Sequence, residues 1–189
     1  DSVACDPHKW LFAAIDAGVV LLREPGRLEH SFAFHASYLD TADRGARVDL
    51  LELSPENTRP QRALKVWLAL QAIGRRGYGE MIDYNIRLAA LLEELVNVTP
   101  GLTLAAPRGL SIVCWRVEPE GLEGQALEQL QSNVIKALED RGIAMISNAQ
   151  LRDGRTALRA CIANFRTRAE DVEAIVQASA EIGAELARS

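Results

Sequence analysis

Three groups of residues have the types and placement to do chemistry. The first is Asp6-Pro7-His8-Lys9-Trp10, where a primary amine stands beside an imidazole and an indole, between the apolar runs Val3-Ala4-Cys5 and Leu11-Phe12-Ala13-Ala14-Ile15. Lys9 is one of only three lysines in the chain. The flanking runs read as buried, and an ammonium is almost never fully buried without a compensating partner. An imine with an aldehyde cofactor removes the charge, and a desolvated lysine has the lowered pKa that imine formation needs. The competing reading is a lysine that snorkels from a strand end to water, and the residues alone leave both open. The second candidate is Tyr38, which taken by itself reads as an aromatic anchor for a lid. The third is Arg159, whose planar fork suits a carboxylate, although strand alternation also allows it to point to solvent between Leu158 and Ala160.

Several elements must position these groups. Ala17-Gly18-Val19-Val20-Leu21-Leu22, closed by Arg23-Glu24-Pro25-Gly26, reads as a buried strand and a turn that would cover the lysine segment. From Leu28 to Arg59 neither a helical nor a strand template fits, and so long a stretch inside a compact domain is either functional or disordered. Ser54 to Pro60 gives a capped, proline-marked helix start. Leu64, Trp67, Leu68, Ala72 and Ile73 follow a helical period until Gly74, Gly77 and Gly79 interrupt it, and a second helix is expected from about Glu80 to the stop before Thr99-Pro100-Gly101. Lys65 reads as a solvated helix residue.

The last part has the grammar of a small α/β unit. Ser111–Val117, Ile143–Ile146 and Ala157–Ile162 are expected as strands, and Gly124–Arg141 as a helix ended by Gly142. Thr167-Arg168-Ala169-Glu170 has capping-box spacing before a helix with Val172, Ile175, Val176, Ser179, Ile182 and Leu186 on its inner stripe.

The totals narrow the function classes. The 189 residues include 48% hydrophobic ones, enough for a sizeable core, and the net charge is -5. Arginines are interspersed with acids, so no basic face for nucleic acid is expected. No apolar run approaches the roughly 18 residues of a membrane span, and the expectation is a cytoplasmic protein without a membrane segment. Cys5, Cys114 and Cys161 lie in apolar stretches without metal-ligand spacing and are expected to be small buried hydrophobes, with no metal. The opening residues read as the end of a strand, which predicts a chain that is part of a longer polypeptide.

Asp1-Ser2-Val3 followed by Asp6-Pro7-His8-Lys9-Trp10-Leu11 resembles the cofactor-lysine segment of the group II pyridoxal-phosphate-dependent decarboxylases, the family of the aromatic-L-amino-acid, histidine, tyrosine and glutamate decarboxylases. Tyr38-Leu39, Arg59, Leu64-Lys65-Val66-Trp67 and Leu158-Arg159 recur downstream in that family's order and rough spacing. The resemblance implies an α/β chain of fold type I, the aspartate-aminotransferase-like architecture. Residues 1–60 would be the end of the cofactor-binding large domain with its catalytic loop, 61–98 linking helices, and 99–189 the small C-terminal domain.

It further implies that pyridoxal 5′-phosphate is held as an imine on Lys9, with His8 near its phosphate or the imine. Asp6 stands where other members carry asparagine and would be a weaker cofactor contact. Tyr38 would protonate the decarboxylated intermediate, Arg159 would receive the substrate carboxylate, and Asn57, Thr58 and Arg59 would reach the partner subunit's site in a homodimer. The implied reaction removes the α-carboxylate of an L-amino acid as CO₂. Neither a glycine- and serine-rich phosphate cradle nor an aspartate for the pyridine nitrogen is found, so both are expected on an N-terminal part, in the same polypeptide or another. A non-catalytic C-terminal dimerisation module, or a transaminase or aldolase on the same fold, are the competing readings.

Overall fold

The computed structural model describes residues 1–33 and 49–188, which fall into two units, Asp1–Gly74 and Arg75–Ser189. In the first unit β1 (Ser2–Cys5) pairs antiparallel with β2 (Val19–Leu22), Ser2 lying opposite Leu22 and Cys5 opposite Val19. This is a two-stranded sheet. β1 is exposed along its whole length, and Val3 and Leu21 keep 59% and 60% of their surface. The burial expected of both apolar runs around Lys9 is therefore corrected: among the described residues, too little is laid over a two-stranded ribbon to bury β-branched side chains on both faces.

The helix α1 (Arg27–Phe32) follows the predicted turn, with Gly26 at φ 82° ahead of it. A 3₁₀ turn, Leu50–Leu53, is capped by the Asp49 carboxylate, which accepts from the Leu51 N–H at 3.2 Å. The long helix α2 (Arg62–Val98) is broken once, at Gly74, whose φ of 70° and ψ of 167° suit a residue without Cβ. The division between the units falls at this break. Gly77 and Gly79 stay inside the helix, so the second helical segment starts directly after Gly74 rather than near Glu80.

The second unit is built on a four-stranded antiparallel sheet in the order β3-β4-β6-β5, with β3 at Leu102–Leu104, β4 at Ile112–Val117, β5 at Ser147–Gln150 and β6 at Thr156–Cys161. The helices α3 (Gly124–Asp140) and α4 (Ala169–Leu186) complete it. Leu92 and Val96 of α2, Val113, Trp115 and Val117 of β4, Leu158, and Val134, Leu138, Val176 and Ile182 form its core. Nonpolar burial of this kind is the main favourable term in holding such a layered unit together. The Gln131 side chain serves as a further backbone partner, accepting from Val117 N–H at 2.9 Å and donating to Val117 O at 2.8 Å.

Two details depart from the sequence expectation. The strand expected at Ile143–Ile146 lies at Ser147–Gln150, because Gly142 turns at φ 67° and the Ile143 and Ala144 N–H groups are spent closing α3 on Leu138 O. The cap of α4 sits one residue later than Thr167, with Arg168 N–H donating to Asp171 Oδ2 at 2.9 Å.

Candidate cofactor-lysine site

The connection from β1 to β2 presents Lys9. Proline at the second position of a turn fixes its φ, and here Pro7 is buried while the Lys9 N–H donates to Asp6 O at 3.0 Å. A second turn follows at once, Phe12 N–H donating to Lys9 O at 2.9 Å with Phe12 at φ 48°, and Ala13 N–H donates to Pro7 O at 2.9 Å. These bonds fold Asp6 to Ala13 into two consecutive turns with Pro7 and Ala13 buried beneath and the side chains of Asp6, His8 and Lys9 outward.

Lys9 Nζ lies 2.8 Å from Asp6 Oδ2, with side-chain exposures of 67% and 47%. The ammonium is thus neither buried nor uncompensated, and an argument from burial does not apply to it. The hydrogen bond and charge of Lys9 hold the Asp6 carboxyl below its ordinary value, with a smaller pull from His8. The groups present fit an aldehyde cofactor in one respect that the structure itself displays: a primary amine on an exposed side chain whose backbone is held in a turn, with an imidazole one residue away.

Arg159 stands on β6, which is flanked by β4 and β5 and so is not an edge strand. Cys114 is its partner on one side and Ser147 on the other. Its Nη1 is 3.4 Å from Ser147 Oγ, and it lines a cleft of about 430 Å³ with Met145, Ser147, Cys161, Asn164 and Thr167. Burial pushes the Cys114 thiol up, and the Arg159 charge pulls it the other way. The three cysteines are free, and the expectation of burial fails for Cys5 and Cys161, which are exposed, while Cys114 is half-buried.

Asn57 and Thr58 are exposed on the loop before α2. Arg59 beside them is folded back, its Nη2 donating to Leu50 O, to Ser54 Oγ at 2.8 Å and to Glu56 O at 2.8 Å. Tyr38 lies outside the described residues. The structure therefore gathers Asp6, His8 and Lys9 in one turn, places Arg159 in the other unit, and leaves Asn57 and Thr58 on their own loop.

Sequence reasoning missed Asp16. Its carboxylate accepts from Arg62 Nε at 2.9 Å and lies 3.3 Å from Lys65 Nζ, and these bonds, the one from Arg62 first, hold its pKa down to about 2. Arg62 also grips both oxygens of Glu56, at 2.7 and 3.3 Å. Nothing local announces a pairing 46 residues apart. Lys65, expected to be only a solvated helix residue, is part of it. Arg116 was missed too. Among the described residues no helix is long and apolar enough to cross a membrane.

Comparison with known proteins places the chain in a family. The sequence model described as the pyridoxal-dependent decarboxylase conserved domain matches residues 1–118. An aromatic-L-amino-acid decarboxylase of Bacillus atrophaeus is 31% identical over 175 residues, 91% of this chain and 36% of that protein. An L-2,4-diaminobutyrate decarboxylase of Rhizobium meliloti is 32% identical over 188 residues, 98% of this chain and 37% of that protein. The crystal structure of Oryza sativa TDC with PLP and tryptamine superposes with a TM-score of 0.88 at 23% identity, covering 98% of this chain and 39% of that one. The chain thus spans little more than a third of the length of these relatives, and its α/β fold is that of fold type I decarboxylases. A turn that offers Lys9 between two paired strands lies inside the matched residues, and the chain belongs to the pyridoxal-dependent decarboxylase family.

Proposed function

We propose that this chain is the part of an amino acid decarboxylase that carries the cofactor lysine and the substrate-carboxylate arginine. The observation that supports the reading most is Lys9, its amine exposed on a backbone-bonded turn within the residues that match the family. In this reading the ε-amine of Lys9 holds pyridoxal 5′-phosphate covalently. The cofactor supplies the electron sink that lets the α-carboxylate of an L-amino acid leave as CO₂. His8 lies against the cofactor, and Arg159 fixes the substrate's carboxylate side in its cleft. Tyr38 returns a proton to Cα, a step that needs water excluded.

The phosphate and pyridine-nitrogen contacts belong in this reading to a preceding segment, and Asn57, Thr58 and Arg59 face the partner's site in a cytoplasmic homodimer. The apolar surface of the first unit supports such partners: Leu64, Trp67 and Leu68 of α2 are exposed, Trp67 by 56%, as are Val3 of β1 and Leu21 of β2. Exposed apolar patches of this kind mark contact surfaces.

The test is borohydride reduction of the complete cofactor-loaded protein, followed by mass measurement of the Lys9 peptide. A pyridoxyl adduct on Lys9, together with CO₂ release from an L-amino acid that Lys9→Ala abolishes, is expected. No adduct on Lys9 sinks the reading and leaves a non-catalytic module. Tyr38→Phe should lose amine formation and gain oxidative or transaminating products; unchanged amine output removes Tyr38 from the mechanism.

A further inference from the structure

Asp6 and Lys9 are joined twice. The Lys9 N–H donates to the Asp6 carbonyl at 3.0 Å, and the Lys9 ammonium reaches the Asp6 carboxylate at 2.8 Å. The backbone bond closes the turn that buried Pro7 fixes, so the turn itself brings the two side chains to the same side. The pairing is a property of the loop, and it does not need a cofactor to form. Among the described residues the charged and titratable groups that act on Asp6 are Lys9 and, more weakly, His8.

We propose that Asp6 is a positioning residue for Lys9, a counter-ion that holds its amine in place as an ammonium and so raises the pH at which Lys9 takes up an aldehyde. The proposal rests on Lys9 being the cofactor lysine and gives Asp6 a task at the amine rather than at the cofactor's phosphate, where a carboxylate would be repelled. Attachment consumes the neutral amine. The ammonium gives one proton to solvent, the nitrogen lone pair forms a C–N bond to the aldehyde carbon, and the aldehyde oxygen leaves as water with the two hydrogens that remain on nitrogen. A carboxylate against the ammonium favours the charged form and displaces uptake to higher pH. The pair is more than half exposed at Lys9 and nearly half at Asp6, so the displacement is that of a solvent-screened pair, about half a pH unit or about threefold in uptake at a fixed pH.

The chain carries its own controls. Lys65 and Lys136 are paired with other carboxylates, Asp16 and Asp140. The 189-residue chain is exposed briefly to pyridoxal 5′-phosphate over a pH series and quenched with borohydride, and the adduct on each of the three lysine peptides is quantified by mass. In Asp6→Asn the Lys9 curve should move to lower pH by about half a unit, with the Lys65 and Lys136 curves unmoved. Asp6→Glu, which keeps the charge, should follow the wild-type curve. A Lys9 curve that does not move in Asp6→Asn, or an Asp6→Glu curve that follows the Asn variant, overturns the proposal. Failure of the decarboxylase reading looks different: the complete protein would then carry its cofactor on a residue other than Lys9, whatever the Asp6 variants do.

Discussion

Arg62 donates from Nε to Asp16 Oδ2 at 2.9 Å while its two terminal nitrogens hold Glu56. One guanidinium thus ties three places together: the residues that follow the lysine turn, the loop that carries Asn57 and Thr58, and the first turn of α2. A planar fork with several donors can do this where an ammonium cannot.

Acid should loosen this junction. The Asp16 carboxyl is held at about 2 against an ordinary 3.8, so the folded state favours its ionised form. The stabilisation it brings is complete above pH 3.8 and is lost as the pH falls through about 2. Thermal unfolding followed between pH 5 and pH 2 should show the wild-type midpoint falling across that window. Asp16→Asn should start lower at pH 5 and fall less; parallel curves for the two proteins would contradict the assignment.

Arg116 is the buried cation of the second unit. Only 2% of its side chain is exposed, and it donates to Glu118 Oε1 at 2.9 Å, to Glu128 Oε1 at 2.8 Å and to the Thr156 carbonyl. Glu128 in turn accepts from the Thr156 N–H at 2.6 Å, so the network joins β4, α3 and β6. Arg116→Ala should cost about 3 kcal/mol, the lower end for breaking a buried ion pair, because both glutamates keep about a third of their surface in water. Denaturant unfolding measures this, and a loss within experimental error of zero would show that the network contributes nothing net.

Gly183 lets α4 approach β4. A Cβ built there would collide with Val117 Cγ1, and Val117 is only 2% exposed. Alanine in mid-helix normally gains up to about 1 kcal/mol over glycine, whereas forcing a methyl into a packed core costs about 1–3 kcal/mol. Val117 is also held by Gln131 and cannot easily yield, so the packing term wins. Gly183→Ala should unfold at lower denaturant than wild type, and a stabilised variant would mean that the core has room.

At Arg159 a lysine keeps the charge and loses the fork. If the cleft receives a substrate carboxylate, Arg159→Lys in the complete enzyme should raise KM about tenfold or more, on the scale of about 1.5–3 kcal/mol for a charge-assisted hydrogen bond. The fold should be unaffected, since among the described residues the guanidinium makes only a 3.4 Å hydrogen bond, to Ser147. Steady-state kinetics decides, and an unchanged KM removes Arg159 from substrate binding.

Much of this arrangement was legible from local signals. Helix periods, the glycine at 142 and the alternation of β4 and β6 are short-range features, and they placed most elements of the second unit. What escaped is non-local. The Asp16 and Arg116 networks depend on residues brought together from afar, and the open faces of β1 and β2 depend on what lies beside them, which an apolar run cannot state. The strand expected at 143–146 failed for a local reason that composition hides: the backbone there was already committed to ending α3. Lys9 lacks the burial that its apolar flanks suggest, and what distinguishes it in the sequence is its motif.

The interior place of β6 has a kinetic meaning. Its amides are bonded between two neighbouring strands, so those around Arg159 should exchange with deuterium only through the rarer openings of the four-stranded sheet. The Lys9 amide is held by one bond in an exposed turn and should exchange through frequent local opening. The strand that carries Arg159 is thus expected to open rarely, and the turn that carries Lys9 often.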